Sequence, residues 1–235
     1  MNLLKNYRIE KRDHVSPLVL ALSALVSLVA ALMVTALLVT ISGGDWKEAF
    51  SSLFGGAFGD KDAILETLVK STPLILTGLA AAIAFRGKIW NIGAEGQLFA
   101  GAIGSYWAFV TFESLPTVPL LIIVFIAGCA AGGALGLLAG ILKAYFHVDE
   151  IITTVMTNYI VAYMLALILS GPWKEAGSVY RHTPALPDFV KLPIIVPGTR
   201  LNLGFILALL AAGLFYYLLK KTPLGYEIRA LGSNP

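Results

Sequence analysis

Charge is what this sequence has least of. Asp, Glu, Lys and Arg make up 13% of its 235 residues and apolar types 57%, where soluble domains carry about 25% and about 45–50%. With a mean hydropathy of +0.81, that excludes an ordinary water-soluble domain and implies an integral membrane protein. Cysteine is down to Cys129, which excludes an intrachain disulfide framework and a cysteine-rich metal site. Cys129 sits in a glycine-alanine run and reads as a small packing residue. His14, His147 and His182 show no ligand spacing. There is no Gly-rich phosphate loop ending in Lys-Ser/Thr, no HExxH and no GxSxG, so catalysis within the chain is unsupported. The net charge of +3 comes from cations at the ends of apolar runs, a mark of membrane topology rather than of nucleic-acid affinity.

What is there is a succession of apolar segments. After a basic tail over 1–14 (Lys5, Arg8, Lys11, Arg12), residues 17–41 run without a charge, long enough to span a bilayer and too long for a cleaved signal peptide. The positive-inside rule keeps the amino terminus in the cytoplasm. Residues 43–70 mix both signs, and Ile64, Leu65, Leu68 and Val69 have helical spacing, the pattern of a short helix at the outer interface. Segments 72–85, with Pro73 in its first turn, and 91–112 are both short for a span. Segments 119–142, 151–169 and 203–219 follow, closing at Lys143 and at Lys220-Lys221, with a proline-rich outer loop between the last two. The expected fold class is all-α. It is a polytopic membrane protein of about six segments, one pair short and Gly-interrupted, with both termini cytoplasmic and residues 1–235 forming one transmembrane domain.

Three places carry polar chemistry inside this apolar frame. Asn91, Glu95 and Gln97 fall within seven positions, interleaved with Gly93 and Gly96. Intramembrane charge is costly and usually faces protein or a water-filled cavity, and short Gly-interrupted segments point to transport sites. The competing reading makes Asn91 the N-cap of a helix and Glu95 a partner of its dipole. Glu150, Thr154 and Asn158 share one helix face at i, i+4 and i+8, as a cavity lining or as caps and packing groups, with Asp149 and Glu150 both able to cap. In the tail over 222–235, Leu224, Ile228 and Leu231 recur at amphipathic spacing while Glu227 and Arg229 face elsewhere, and Gly232 would end the helix.

Small residues mark packing faces. Gly96, Ala100 and Gly104 recur every fourth position, as do Gly128, Gly132, Gly136 and Gly140, stripes that let helices approach closely. The second stripe needs a facing helix, expected from chain beyond Pro235.

The residues Phe85-Arg86, Trp90-Asn-Ile-Gly-Ala-Glu-Gly-Gln97 and Gly101 resemble the signature of bacterial ABC-transporter permeases of the nucleoside and simple-sugar group. Their superfamily includes the branched-chain amino acid and ribose permeases. Glu150-Ile-Ile-Thr-Thr-Val-Met-Thr-Asn158 resembles a second segment of that group, and Thr222-Pro-Leu-Gly225 with Arg229-Ala-Leu-Gly-Ser-Asn234 its cytoplasmic coupling element. The resemblance implies a cell-membrane permease subunit, itself not an enzyme, that pairs with a second permease. A cytoplasmic ABC ATPase using ATP with Mg and an extracytoplasmic binding lipoprotein would complete a nucleoside importer. Asn91, Glu95, Gln97, Glu150, Thr154 and Asn158 are then the substrate-path candidates. Leu224, Gly225, Glu227, Ile228, Arg229 and Gly232 are the ATPase-coupling candidates. Members of the group continue past this point, so the chain is expected to be truncated at Pro235. The alternatives are a permease for simple sugars or branched-chain amino acids and a secondary transporter that needs no ATPase.

Overall fold

The computed structural model describes residues 16–233; the basic tail and the last two residues of the coupling motif lie outside them. The chain divides into two compact units, residues 1–63 and 64–235.

In the first unit, α1 (Pro17–Ile41) starts where Ser16 accepts a hydrogen bond from the Val19 N–H at 3.3 Å, with proline at the first helical position. Its interior hydroxyls bond back to their own helix, Ser27 to the Ser23 carbonyl at 2.8 Å and Thr35 to Ala31 at 2.9 Å. That is how a helix carries polar atoms into hydrocarbon without leaving them unpaired. A turn with Gly43 at φ 83° leads to α2 (Trp46–Phe58), capped by Asp45.

The second unit holds nearly all of α3 (Lys61–Arg86). Here the expectation needs correcting: the interfacial helix around Ile64–Val69 and the short segment 72–85 are one helix of 26 residues, and Pro73 lies inside it. Proline removes a single backbone bond, and nearby hydroxyls occupy carbonyls around the gap: Ser71 donates to Leu68 at 2.8 Å and Thr77 to Pro73 at 2.9 Å. The helix, and the apolar spacing with it, continues through the proline.

Next come α4 (Ala94–Phe112), α5 (Thr117–Phe146) and α6 (Glu150–Ser170). The loop over 171–202 contains a 3-10 turn (Asp188–Val190) and an isolated antiparallel bridge between Ile194 and Asn202. Then α7 (Leu203–Lys221) meets α8 (Pro223–Ser233) at Thr222, whose extended backbone suits the residue before proline. Among the described residues five helices are long and apolar enough to cross a membrane: α1, α3, α5, α6 and α7. α4 is not one of them, so five such helices stand where six segments were expected.

The core lies where α4 packs between α5 and α6, with Ala108 and Leu120 fully buried. The glycine stripe on α5 finds its facing helix in α4, inside this chain, contrary to the expectation that later chain would supply it. A methyl at Gly104 would sit 2.6 Å from Ala131 Cβ, and one at Gly132 2.8 Å from the Gln97 carbonyl. Gly101 and Gly128 meet backbone to backbone, and the Ser105 hydroxyl, bound to the Val124 carbonyl at 3.1 Å, fills the space over Gly128. Such contact without side chains between is what attracts helices in lipid. Gly136 borders the Gln97 amide, whereas Gly140 has nothing within 4 Å of a would-be Cβ and is not part of the seam. The stripe on α4 divides: Gly104 faces α5, while Gly96 faces Asn158 on α6.

Candidate functional site

The chain between α3 and α4 is irregular, and its backbone groups need partners. α3 stops in a Schellman motif, with the Ile89 N–H on the Ala84 carbonyl at 3.0 Å and the Lys88 N–H on Phe85 at 3.1 Å. Lys88 holds the left-handed position usually given to glycine, at φ 57°. α5 ends similarly, with His147 at φ 54°. These are the two non-glycine residues with positive φ among those described, and each leads into the same polar cluster.

The face of α6 supplies the partners. Asp149 caps α6, taking the Ile151 and Ile152 N–H groups at 2.8 and 3.2 Å, so Glu150 is free to turn inward. Glu150 is 6% exposed. It pairs with the Lys143 ammonium at 2.7 Å and accepts from the Trp90 N–H at 3.4 Å. Thr154, 1% exposed, accepts from the Ile92 N–H at 3.2 Å and donates to the Glu150 carbonyl at 2.6 Å. Asn158 accepts from the Gly96 N–H at 2.8 Å and donates to the Ile92 carbonyl at 2.9 Å. Three side chains one turn apart thus hold successive backbone groups of the crossing chain. Irregular backbone shielded from water needs such partners from protein.

Asn91 is not the N-cap of α4. Gly93 occupies that position and has no side chain to cap with; Asn158, from another helix, takes the first-turn N–H of Gly96 instead. Asn91 accepts from the Gly93 N–H at 2.8 Å and from the Gln97 amide at 3.3 Å. Gly96 is required here, since a Cβ would lie 2.6 Å from the Asn158 oxygen.

Of the six substrate-path candidates, the structure joins Asn91, Gln97, Glu150, Thr154 and Asn158 into one network. Glu95 stands apart: it is exposed in the first turn of α4, with no hydrogen bond or ion pair among the described residues. Lys143 is a member that sequence reasoning assigned only to topology; its signal was a lone cation seven residues ahead of Glu150. No group of three or more His, Cys, Asp or Glu among the described residues is placed to hold a metal.

At the tail, Gly225 and Gly232 are contact points. α8 is described to Ser233, one residue past Gly232, where the helix was expected to end; Gly232 fits against the Arg86 carbonyl where a side chain would not. Arg229 does not project freely; its guanidinium donates to the Leu219 carbonyl. Leu224, Glu227 and Leu231 are exposed and Ile228 is half-buried. A cavity of about 300 Å³ lies beside the second half of α4, lined mostly by apolar and aromatic side chains such as Tyr106 and Trp173, with Ser105 and Thr183 among them.

The model of one protein family, described as branched-chain amino acid transport system / permease component, matches residues 63–235. The chain belongs to this family. Among similar proteins, the guanosine ABC transporter permease protein NupP of Bacillus subtilis is 36% identical over 89% of this chain and 61% of its own length. The nucleoside ABC transporter permease protein NupB of Lactococcus lactis is 30% identical over 90% of this chain and 60% of its own. The glucose ABC transporter permease protein TsgB13 of Haloferax volcanii is 31% identical, over 88% and 57%. The chain spans about three fifths of the length of these relatives. No solved structure matches it significantly. Membership bears out the resemblance read from Trp90–Gln97 and Glu150–Asn158. With five membrane-length helices, this family member is a multi-pass protein of the bacterial plasma membrane.

Proposed function

We propose that the chain is the membrane-embedded permease subunit, or the larger part of one, of an ATP-driven importer of nucleosides. The observation that supports it best is the polar, hydrogen-bonded crossing chain from Trp90 to Gly96, held by Glu150, Thr154 and Asn158. It is the kind of non-helical backbone that membrane transporters keep beside their pathways. The two relatives named for nucleosides or guanosine favour a nucleoside over the sugar named for the third.

In this reading both termini lie in the cytoplasm and α4 is the sixth membrane segment, shielded between α5 and α6. Glu95, exposed on the side away from the network, faces the pathway or the second permease, while Asn91, Gln97, Glu150, Thr154 and Asn158 hold that wall in place. α8 receives a cytoplasmic ATPase, which binds ATP with Mg, and a binding protein delivers solute outside. Uptake of labelled nucleosides and of labelled glucose, by cells with and without the transporter, tests the substrate class. Nucleoside uptake that disappears with the transporter is expected; loss of glucose uptake alone would reassign the substrate.

A further inference from the structure

α8 meets the rest of the second unit at two glycines seven residues apart. Gly225 is buried against the Leu218 carbonyl and the Leu219 backbone of α7. Gly232 lies against the Arg86 carbonyl, and a Cβ there would also sit 3.6 Å from Lys88 Cγ. Between them Ile228 brings its Cγ2 to 4.0 Å of a Cβ placed at Gly87. Residues 225, 228 and 232 share one helix face, and Arg229 fastens the same helix to the Leu219 carbonyl. One end of α8 is therefore seated on α7 and the other on the corner Arg86–Lys88.

That corner is stiff, being closed by the Schellman bonds of Lys88 and Ile89. Directly beyond it, the Trp90 and Ile92 N–H groups are tied to Glu150 and Thr154. The path from α8 to the face of α6 is thus backbone contact, then a locked turn, then hydrogen bonds, with no flexible side chain at the glycine joint. Close-packed contacts of this kind transmit displacement instead of absorbing it.

We propose that α8 and the Arg86–Lys88 corner move as one piece, with Gly232 as the positioning residue. Displacement of α8 reaches the N-terminus of α4 through the corner, and not only through its covalent link to α7. This rests on the importer reading, in which α8 receives the ATPase.

The test uses the assembled importer in a Cys129→Ser background. Gly232→Val places a branched side chain where the Arg86 carbonyl lies, and leaves the exposed Leu224 and Glu227 untouched. The ATPase should still co-purify, while nucleoside uptake falls about tenfold, within the range typical of lost coupling between sites. Gly87→Cys with Ile228→Cys is the complementary variant, because a Cβ at Gly87 would lie 4.0 Å from Ile228 Cγ2, so the two positions face each other across the joint. Locking α8 to the corner should leave uptake unchanged between oxidised and reduced protein, and this pair decides the matter even where Gly232→Val fails to insert. Normal uptake by an inserted Gly232→Val, or uptake abolished by the disulfide and restored by reductant, would overturn the relay. Failure of the ATPase to co-purify with the unaltered chain would instead sink the importer reading, and the relay with it.

Discussion

Asn158 on α6 caps α4 through Gly96: its amide oxygen takes the Gly96 N–H at 2.8 Å, and its nitrogen donates to the Ile92 carbonyl at 2.9 Å. One side chain joins two segments more than sixty residues apart. Replacing it with leucine would leave the buried Gly96 N–H without its partner, at a cost of about 1–3 kcal/mol, and would remove the more exposed bond to Ile92. Asn158→Leu should lower the thermal unfolding midpoint in detergent and depress uptake together. Asn158→Asp, which keeps the acceptor for Gly96, should lose less of both. Equal midpoints for all three proteins would show that the cap is dispensable.

Glu95 should behave differently, because no hydrogen bond or ion pair among the described residues holds its side chain. Glu95→Leu is expected to insert and melt like the unaltered protein while uptake falls; Glu95→Gln should be intermediate. Gln97→Leu, beside Gly132 and Gly136, should lose stability as well as uptake. Normal uptake by Glu95→Leu at normal expression would leave Glu95 with no role beyond the helix dipole.

The seam between α4 and α5 makes a position-specific prediction. Gly104→Leu and Gly132→Leu should each destabilise by about 1–3 kcal/mol, the usual cost of overpacking. Gly133→Leu and Gly140→Leu meet open space and should be tolerated. Unfolding midpoints that failed to separate these pairs would contradict the packing.

Orientation follows from the cations at segment ends. Cysteines at Ser51, Ser114 and Ser178 in a Cys129→Ser background should react with an impermeant thiol reagent added outside, and cysteines at Lys143 and Lys220 should not. Labelling at Lys143 but not at Ser178 would invert the topology and put α8 on the wrong side for an ATPase.

Periodicity made the α6 face legible: Glu150, Thr154 and Asn158 recur at helical spacing, so their common direction needed no structure. Their partners did not show, because Trp90, Ile92 and Gly96 contribute backbone groups, which carry no sequence signal. That hid the difference between a wall that lines a path and one that secures a crossing chain. Pro73 misled because proline suits a first turn but can also lie within a long helix at the loss of one backbone bond, and α3 runs through it. Gly140 extended a stripe in sequence that ends in space at Gly136, because α4 begins at Ala94 and reaches no further along α5.

Reconstitution tests the ATP-driven reading most directly. The permease carrying this chain, placed in liposomes with its ATPase and binding protein, should accumulate labelled nucleoside only when ATP and Mg are supplied on the ATPase side. An ATPase unable to hydrolyse ATP should abolish uptake. Accumulation driven by an ion gradient, with the ATPase left out, would contradict the ATP-driven reading and make the protein a secondary transporter.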